Sequence, residues 1–301
     1  MRRIFMHDQG TAKEQEDGVV NTHPIVGVLD GVSKPYGPTE PPLILDSMSS
    51  GAWAVRTIET LISNMVLNGD CPEILDAVIR VNQSLGNSLV ARCGNLPSEL
   101  RPGATFALAK VDDFLVQAAQ TGDSFAFVRE KNGRVLFSPY RMRSFEEEDR
   151  GLYTSFMSEA VLKLFGREPV SLSEKERGEV RSEFWKLYLP EWVQLKKTAV
   201  NKVNSPIGFG LMNGEPEMLY FVWVQKFNRR DVDLVLCLTD GMIPKSVLKK
   251  EDDGEIAASV LKSYDRGGLN ALLGQVRREE KRKGPMSYIE HTEATGYALE
   301  F

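Results

Sequence analysis

Ile25-Val26-Gly27-Val28-Leu29-Asp30-Gly31 is the stretch from which the fold can be read. An apolar, β-branched run of that length is a buried strand. The Asp-Gly at its end places a carboxylate where the backbone can turn sharply. The pattern returns further along. Phe114 to Ala119 leads into Thr121-Gly122-Asp123-Ser124, and Asp233-Leu234-Val235-Leu236-Cys237-Leu238 leads into Thr239-Asp240-Gly241. One such dipeptide is most simply a turn. Carboxylates at several strand ends, drawn from distant parts of a chain, are what a hard divalent cation needs. Mg²⁺ and Mn²⁺ take oxygen ligands and keep several waters.

Around these runs the periodicity predicts the remaining elements. Residues 2–6 read as an edge strand. Val19 to Leu29 holds two short strands split by Asn21-Thr22-His23-Pro24. Residues 34–42, with four prolines, form a loop. Helical spacing of Ala52, Val55, Ile58, Leu61 and Ile62 predicts a helix over 43–66, and Ile74, Leu75, Val78, Val81 and Leu85 predict a second over 72–92. Thr105–Val111, Phe114–Ala119, Ser124–Glu130 and Val135–Phe137 then form a meander with tight links. Residues 150–200 are helix-rich, with Ser171-Leu172-Ser173-Glu174 as a capping box. Met218–Phe227 and Val232–Leu238 read as strands, 244–262 and 265–282 as helices, and Ala294–Phe301 as the last strand. This order is α+β, not alternating βαβ.

Composition narrows the function classes. The 301 residues are 42% hydrophobic and 26% charged, ordinary for a globular protein, and can bury a large core. A net charge of −5 argues against a general nucleic-acid binder. Cys71, Cys93 and Cys237 are widely spaced and form no Cys-x-x-Cys pair, which speaks against a zinc knuckle or a disulfide framework. None has the setting of a nucleophilic thiolate. Reduced thiols, an N-terminal apolar run too short for a signal peptide, and no stretch approaching a membrane span together predict a cytoplasmic protein without a membrane partner.

Further segments join the strand-end carboxylates: Glu16-Asp17 before Val19-Val20, Gly103-Ala104-Thr105 between the first two carboxylate turns, and Thr292-Glu293-Ala294-Thr295 before the last strand. In this order the segments resemble the PPM family of metal-dependent protein Ser/Thr phosphatases, the protein phosphatase 2C type, over nearly the whole chain. The resemblance implies an α+β, four-layer αββα sandwich: two antiparallel β-sheets flanked by helix pairs. It implies one domain over 1–301, with a helical, flap-like insertion at about 145–210.

It also implies a site. Asp30 would bridge two Mg²⁺ or Mn²⁺ ions, the Gly31 carbonyl would bind one of them, and Asp240 would bind the first. Glu16 would serve the second ion, supported by Asp17. Two cations about 3.5–4 Å apart can share a bridging water, lower its pKa and aim it at phosphorus, while neutralising the phosphate oxygens. Asp123 reads as a structural or outer-sphere residue.

Three departures from the family pattern stand out. Where members carry a phosphate-gripping Arg, this chain has Ala12 with Lys13 beside it. Lys13 could bind phosphate as a point charge, without the bidentate fork of Arg, or be a solvated surface lysine. Val32 follows Asp30-Gly31 where members often have His or Met. Thr292 stands where the last motif has Asp. Glu293 could supply that ligand, directly or through water, with Thr292 outer-sphere; or Glu293 could be solvent-exposed and the site short of one carboxylate. The expected activity is hydrolysis of phosphoserine or phosphothreonine in a phosphorylated protein substrate. The alternatives are a catalytically weak binding or regulatory module of the same fold, and a phosphatase of a small phosphorylated metabolite.

Overall fold

The computed structural model describes residues 1–12, 14–36, 41–166, 172–281 and 291–301. Lys13, Ser171 and the prolyl segment 37–40 lie outside the described residues.

Two five-stranded antiparallel sheets form the centre. The first runs β1 (Arg2–Asp8), β12 (Ala294–Glu300), β11 (Val232–Leu238), β8 (Phe125–Glu130) and β9 (Val135–Phe137). The second runs β10 (Trp223–Asn228), β7 (Leu115–Thr121), β6 (Gly103–Val111), β3 (Ile25–Val32) and β2 (Gly18–Thr22).

Side-chain alternation sorts the layers, because successive residues of a strand face opposite sides of its sheet. On β3, Ile25 and Leu29 face α1 (Ser50–Leu67) and α2 (Ile74–Cys93), where Ala54, Ile58, Val78 and Leu85 complete a helix-on-sheet core. Val26 and Val28 face the other way, onto Ala126, Val128, Val235, Cys237, Tyr297 and Leu299 of the opposite sheet. On the far side, Leu234, Leu236 and Leu238 pack under α6 (Asp253–Glu280) through Ile256, Val260, Leu269 and Leu272. The result is the expected αββα sandwich. Each fully buried Ile or Leu contributes about 1.5–3 kcal/mol relative to exposure, so the three apolar interfaces dominate the stability.

Several local expectations are corrected. Residues 44–49 are a short hairpin, β4 (Ile44–Leu45) with β5 (Met48–Ser49), rather than the start of a helix. Asp46 and Ser47 take φ of 50° and 69°, a turn that no helix accommodates. The helix starts at Ser50, where the Ser49 hydroxyl accepts the Ala52 N–H. The capping box sits at Ser173 and Glu176, opening α4 (Glu174–Ala199). Residues Pro216–Phe221 form a 3₁₀ turn, and strand structure begins only at Trp223. The helix expected from residue 244 starts only at Asp253, after the one-turn helix α5 (Lys245–Leu248); the two helices expected over 244–262 and 265–282 are both there, meeting within α6 at a kink where Gly267 and Gly268 are non-helical.

Between β9 and β10, α3 (Arg143–Phe165) packs on α4 through a separate small core of Ala160, Val161, Val180, Phe184 and Tyr188.

Candidate active site

The inter-sheet face of each central strand turns polar at the same end of the sandwich. Continuing the alternation of Val26 and Val28 along β3 gives Asp30. Ala109 and Ala107 on β6 lead to Thr105, Val128 and Ala126 on β8 lead to Ser124, Val235 and Cys237 on β11 lead to Thr239, and Leu299 and Tyr297 on β12 lead to Thr295. Thr105, Ser124, Thr239 and Thr295 are buried. Burial obliges their hydroxyls to find partners, and two of those partners are candidate site carboxylates. Thr105 Oγ1 donates to Asp123 Oδ1 at 2.7 Å and pairs with Ser124 Oγ at 3.0 Å. Thr239 Oγ1 donates to Asp17 Oδ2 at 2.9 Å. Thr295 Oγ1 pairs with His7 Nδ1 at 2.9 Å.

Above this floor the carboxylates act on one another. Asp17 is pushed up to about 8, by burial first and then by the charges of Glu293 and Asp240. Asp123 is pushed up to about 6 by burial and by Asp240. Asp30 is held well above the ordinary carboxylate range, by burial and then by Asp17, Asp123 and Asp240. Asp17, Asp30, Asp123 and Asp240, from four separate parts of the chain, therefore share one electrostatic environment, as the strand-end motifs predict.

The other expected residues have more specific company. Glu293 Oε2 accepts the backbone N–H of both Glu16 and Asp17, each at 2.9 Å. It is half-buried, with its carboxyl raised chiefly by burial. Glu16 Oε1 accepts the Ser33 hydroxyl at 2.5 Å, and Ser33 Oγ in turn accepts the Gly51 N–H at the start of α1. Gly31 packs so closely on the Glu16 backbone that a Cβ would lie 2.5 Å from its carbonyl oxygen. Thr292 turns elsewhere: its N–H and hydroxyl both donate to Glu280 Oε1 at 2.9 Å, while Glu280 Oε2 takes His291 and Arg277.

Lys245 is the residue the sequence reading missed. Its Nζ lies 2.5 Å from Asp240 Oδ2, and Asp240 is the main cause of its raised pKa. A lysine five positions beyond an aspartate gives no periodic signal; only the turn at Asp240–Met242 and Pro244 at the head of α5 bring the two together. Tyr140 and Glu146 flank the same place, Glu146 pushed up to about 7 mainly by burial. A cavity of about 700 Å³ opens beside them, lined by Arg143, Arg150, Tyr153 and Lys249 among others.

The donor set suits a hard cation. It is carboxylate oxygen, crowded enough that the groups resist ionising together. Among the described residues no three His, Cys, Asp or Glu side chains converge closely enough to hold one ion. Mg²⁺ is commonly held by one or two carboxylates with waters completing the shell; Asp17, Asp30 and Asp240 are the carboxylates that would supply them.

The fold has known counterparts. The crystal structure of the Mycobacterium tuberculosis serine/threonine phosphatase PstP/Ppp matches 100% of this chain and 98% of its own, with a TM-score of 0.50 at 11% identity. This chain has the PPM-type phosphatase fold. Other PPM-type structures also align: Stp1 from Staphylococcus aureus, covering 99% and 94% of the two chains (TM-score 0.46, 13% identity), and the catalytic domain of PstP in complex with two manganese ions, covering 99% and 97% (TM-score 0.48, 12% identity). No protein-family model and no curated protein sequence matches. In the PPM fold of this chain, the polar end of the sandwich is where the strand-end carboxylates collect.

Proposed function

We propose that the chain is a metal-dependent phosphatase acting on phosphoserine or phosphothreonine in proteins. The observation that carries this reading is the gathering of Asp17, Asp30, Asp123 and Asp240 at one end of the inter-sheet face, each raised or flanked by the others. Asp30 and Asp240 would hold divalent cations, Mg²⁺ or Mn²⁺, with Glu16 and Asp17 serving a second ion. Such ions supply Lewis-acid charge that lowers the pKa of water and neutralises phosphate oxygens. The chain's own work is to place the ligands. Thr239 orients Asp17, Thr105 orients Asp123, and Glu293 pins the backbone from which Glu16 and Asp17 project. Because Glu293 Oε2 takes both backbone N–H groups, a ligand role would fall to Oε1.

The cavity beside Lys245 carries Arg150 and Lys249 together with Glu146, Glu147, Asp149 and Glu251, a mixed lining beside which a phosphorylated segment would lie. In this reading residues 1–301 are one domain, α3 and α4 are its flap-like insertion, and the protein works in the cytoplasm. Among the described residues no helix is long and apolar enough to cross a membrane.

The test is phosphate release from phosphoserine and phosphothreonine peptides. Release with Mn²⁺, abolished by EDTA, is expected. Turnover that ignores EDTA would overturn the reading. A second reading, a weakly active or inactive binding module of the same fold, is favoured by one specific observation: the Thr292 hydroxyl is committed to Glu280. Tight phosphopeptide binding without phosphate release would support it.

A further inference from the structure

Asp240 already has a cation. Lys245 Nζ sits 2.5 Å from its Oδ2, and the charges of Glu146 and Asp123 also act on this ammonium. The placement is built by the backbone. Ile243 N–H closes a turn onto the Asp240 carbonyl at 2.9 Å, and Pro244 then starts α5, whose first residue is Lys245. The chain thereby doubles back over the carboxylate that ended β11.

We propose that Lys245 is a tethered competitor of the divalent cation: its ammonium neutralises Asp240 from Oδ2, and a metal ion binding that carboxylate drives it off. The inference rests on the metal-dependent reading above. The ammonium on Oδ2 leaves Oδ1 to a divalent ion, but the two cations would then stand a few ångströms apart on one carboxylate and repel each other. Departure is sterically open. The Lys245 side chain is 42% exposed and Asp240 23% exposed, so the head can swing on its flexible four-carbon stem without unpacking a core. Glu146 on α3 stands as an alternative acceptor already within reach of its field.

Lys245 thus sets the affinity of the Asp240 side of the site, while Asp30, which accepts no side-chain ammonium among the described residues, sets the rest. Replacing the lysine removes a competitor, so affinity should rise; losing a ligand-supporting residue would make it fall. The sign separates the two roles.

The test is Mn²⁺ binding by calorimetry to the whole chain, with no substrate present and at one pH. Lys245→Met is expected to bind Mn²⁺ about tenfold tighter than wild type, or to gain a site that wild type lacks. In an Asp240→Asn background the same substitution should gain much less, since the contested carboxylate charge is gone and only longer-range repulsion remains. Equal or weaker binding by a folded Lys245→Met chain overturns the proposal, as does an equal gain in the Asp240→Asn background.

A wild-type measurement guards against a misfolded variant. Acetic anhydride labelling of Lys245, read by mass spectrometry, should rise when saturating Mn²⁺ is added, and unchanged labelling would contradict displacement. Neither measurement reads turnover. A chain that binds Mn²⁺ in this way yet hydrolyses no phosphopeptide would sink the phosphatase reading and leave the role of Lys245 standing.

Discussion

Glu293 Oε2 accepts the backbone N–H groups of both Glu16 and Asp17, each at 2.9 Å. A single carboxylate at the start of the last strand thereby fixes a segment 276 residues or more away in sequence. Hydrogen bonds to a charged acceptor contribute about 1.5–3 kcal/mol. Glu293→Ala leaves two N–H groups in a half-buried position without their acceptor, and is expected to lower unfolding stability by about 2 kcal/mol. Glu293→Gln, which keeps an acceptor, should lose about half as much. Urea unfolding of the three chains in EDTA checks this; an unshifted midpoint in Glu293→Ala would count against a pinning role.

Gly241 explains the close approach of the same two segments. A Cβ there would lie 1.6 Å from the Glu293 carbonyl oxygen. That obstacle is backbone, which no rotamer change relieves. Gly241→Ala is therefore expected to cost at least about 2 kcal/mol and to displace Glu293 from the Glu16-Asp17 amides. The same urea measurement reads it, and an alanine variant as stable as wild type would show that the two segments separate freely.

Lys196 gives a pH dependence far from the carboxylates. It is 2% exposed, its Nζ has no hydrogen-bond partner among the described residues, and it sits 4.9 Å over the Trp192 ring. Burial pushes its pKa down to about 8 from the ordinary 10.5. A lysine whose folded pKa is lowered penalises the fold wherever both states are protonated, hence below about pH 8. The penalty fades as pH rises towards 10.5, because there the unfolded chain holds the extra proton. Lys196→Met should stabilise the protein by on the order of 3 kcal/mol at pH 7, and this advantage should shrink by pH 10.5. A constant difference across that range would mean that Lys196 is paired in solution.

Cys237 is buried between the sheets and its thiol is pushed up to about 12 by burial. It should resist iodoacetamide in the folded chain, whereas the exposed Cys71 should react. Alkylated protein is expected to release phosphate from p-nitrophenyl phosphate as untreated protein does. Mass spectrometry showing native-state modification at Cys237, with activity lost in parallel, would point to thiol chemistry instead.

Much of this architecture is written in local pattern. The β3 run from Ile25 to Asp30 states its strand, its two faces and its carboxylate in six residues, because a period of two leaves little choice. The same holds for β11 and Asp240. The helix starts were less legible. Residues 44–49 are apolar enough to read as helix, and only the left-handed turn at Asp46 and Ser47 separates them from it. The hydroxyl floor is visible in hindsight as the parity of Thr105, Thr239 and Thr295, yet threonine in a strand is ordinary and gives no alert. The Lys245–Asp240 pair was out of reach, since it depends on a 3₁₀ turn and a one-turn helix that carry no periodicity. Thr292 reads in sequence as a departure from the family pattern, and its partner, Glu280, lies on a helix whose facing cannot be read from spacing alone.

The central claim is that the strand-end carboxylates run metal-dependent phosphate hydrolysis, with Asp30 at their centre. Asp30→Asn keeps the size of the side chain and removes its charge. The direct measurement is Mn²⁺-dependent p-nitrophenyl phosphate turnover by wild type and Asp30→Asn, with circular dichroism confirming that both are folded. The account predicts that turnover falls at least about a hundredfold in the variant. Wild-type turnover in a folded Asp30→Asn chain would contradict it.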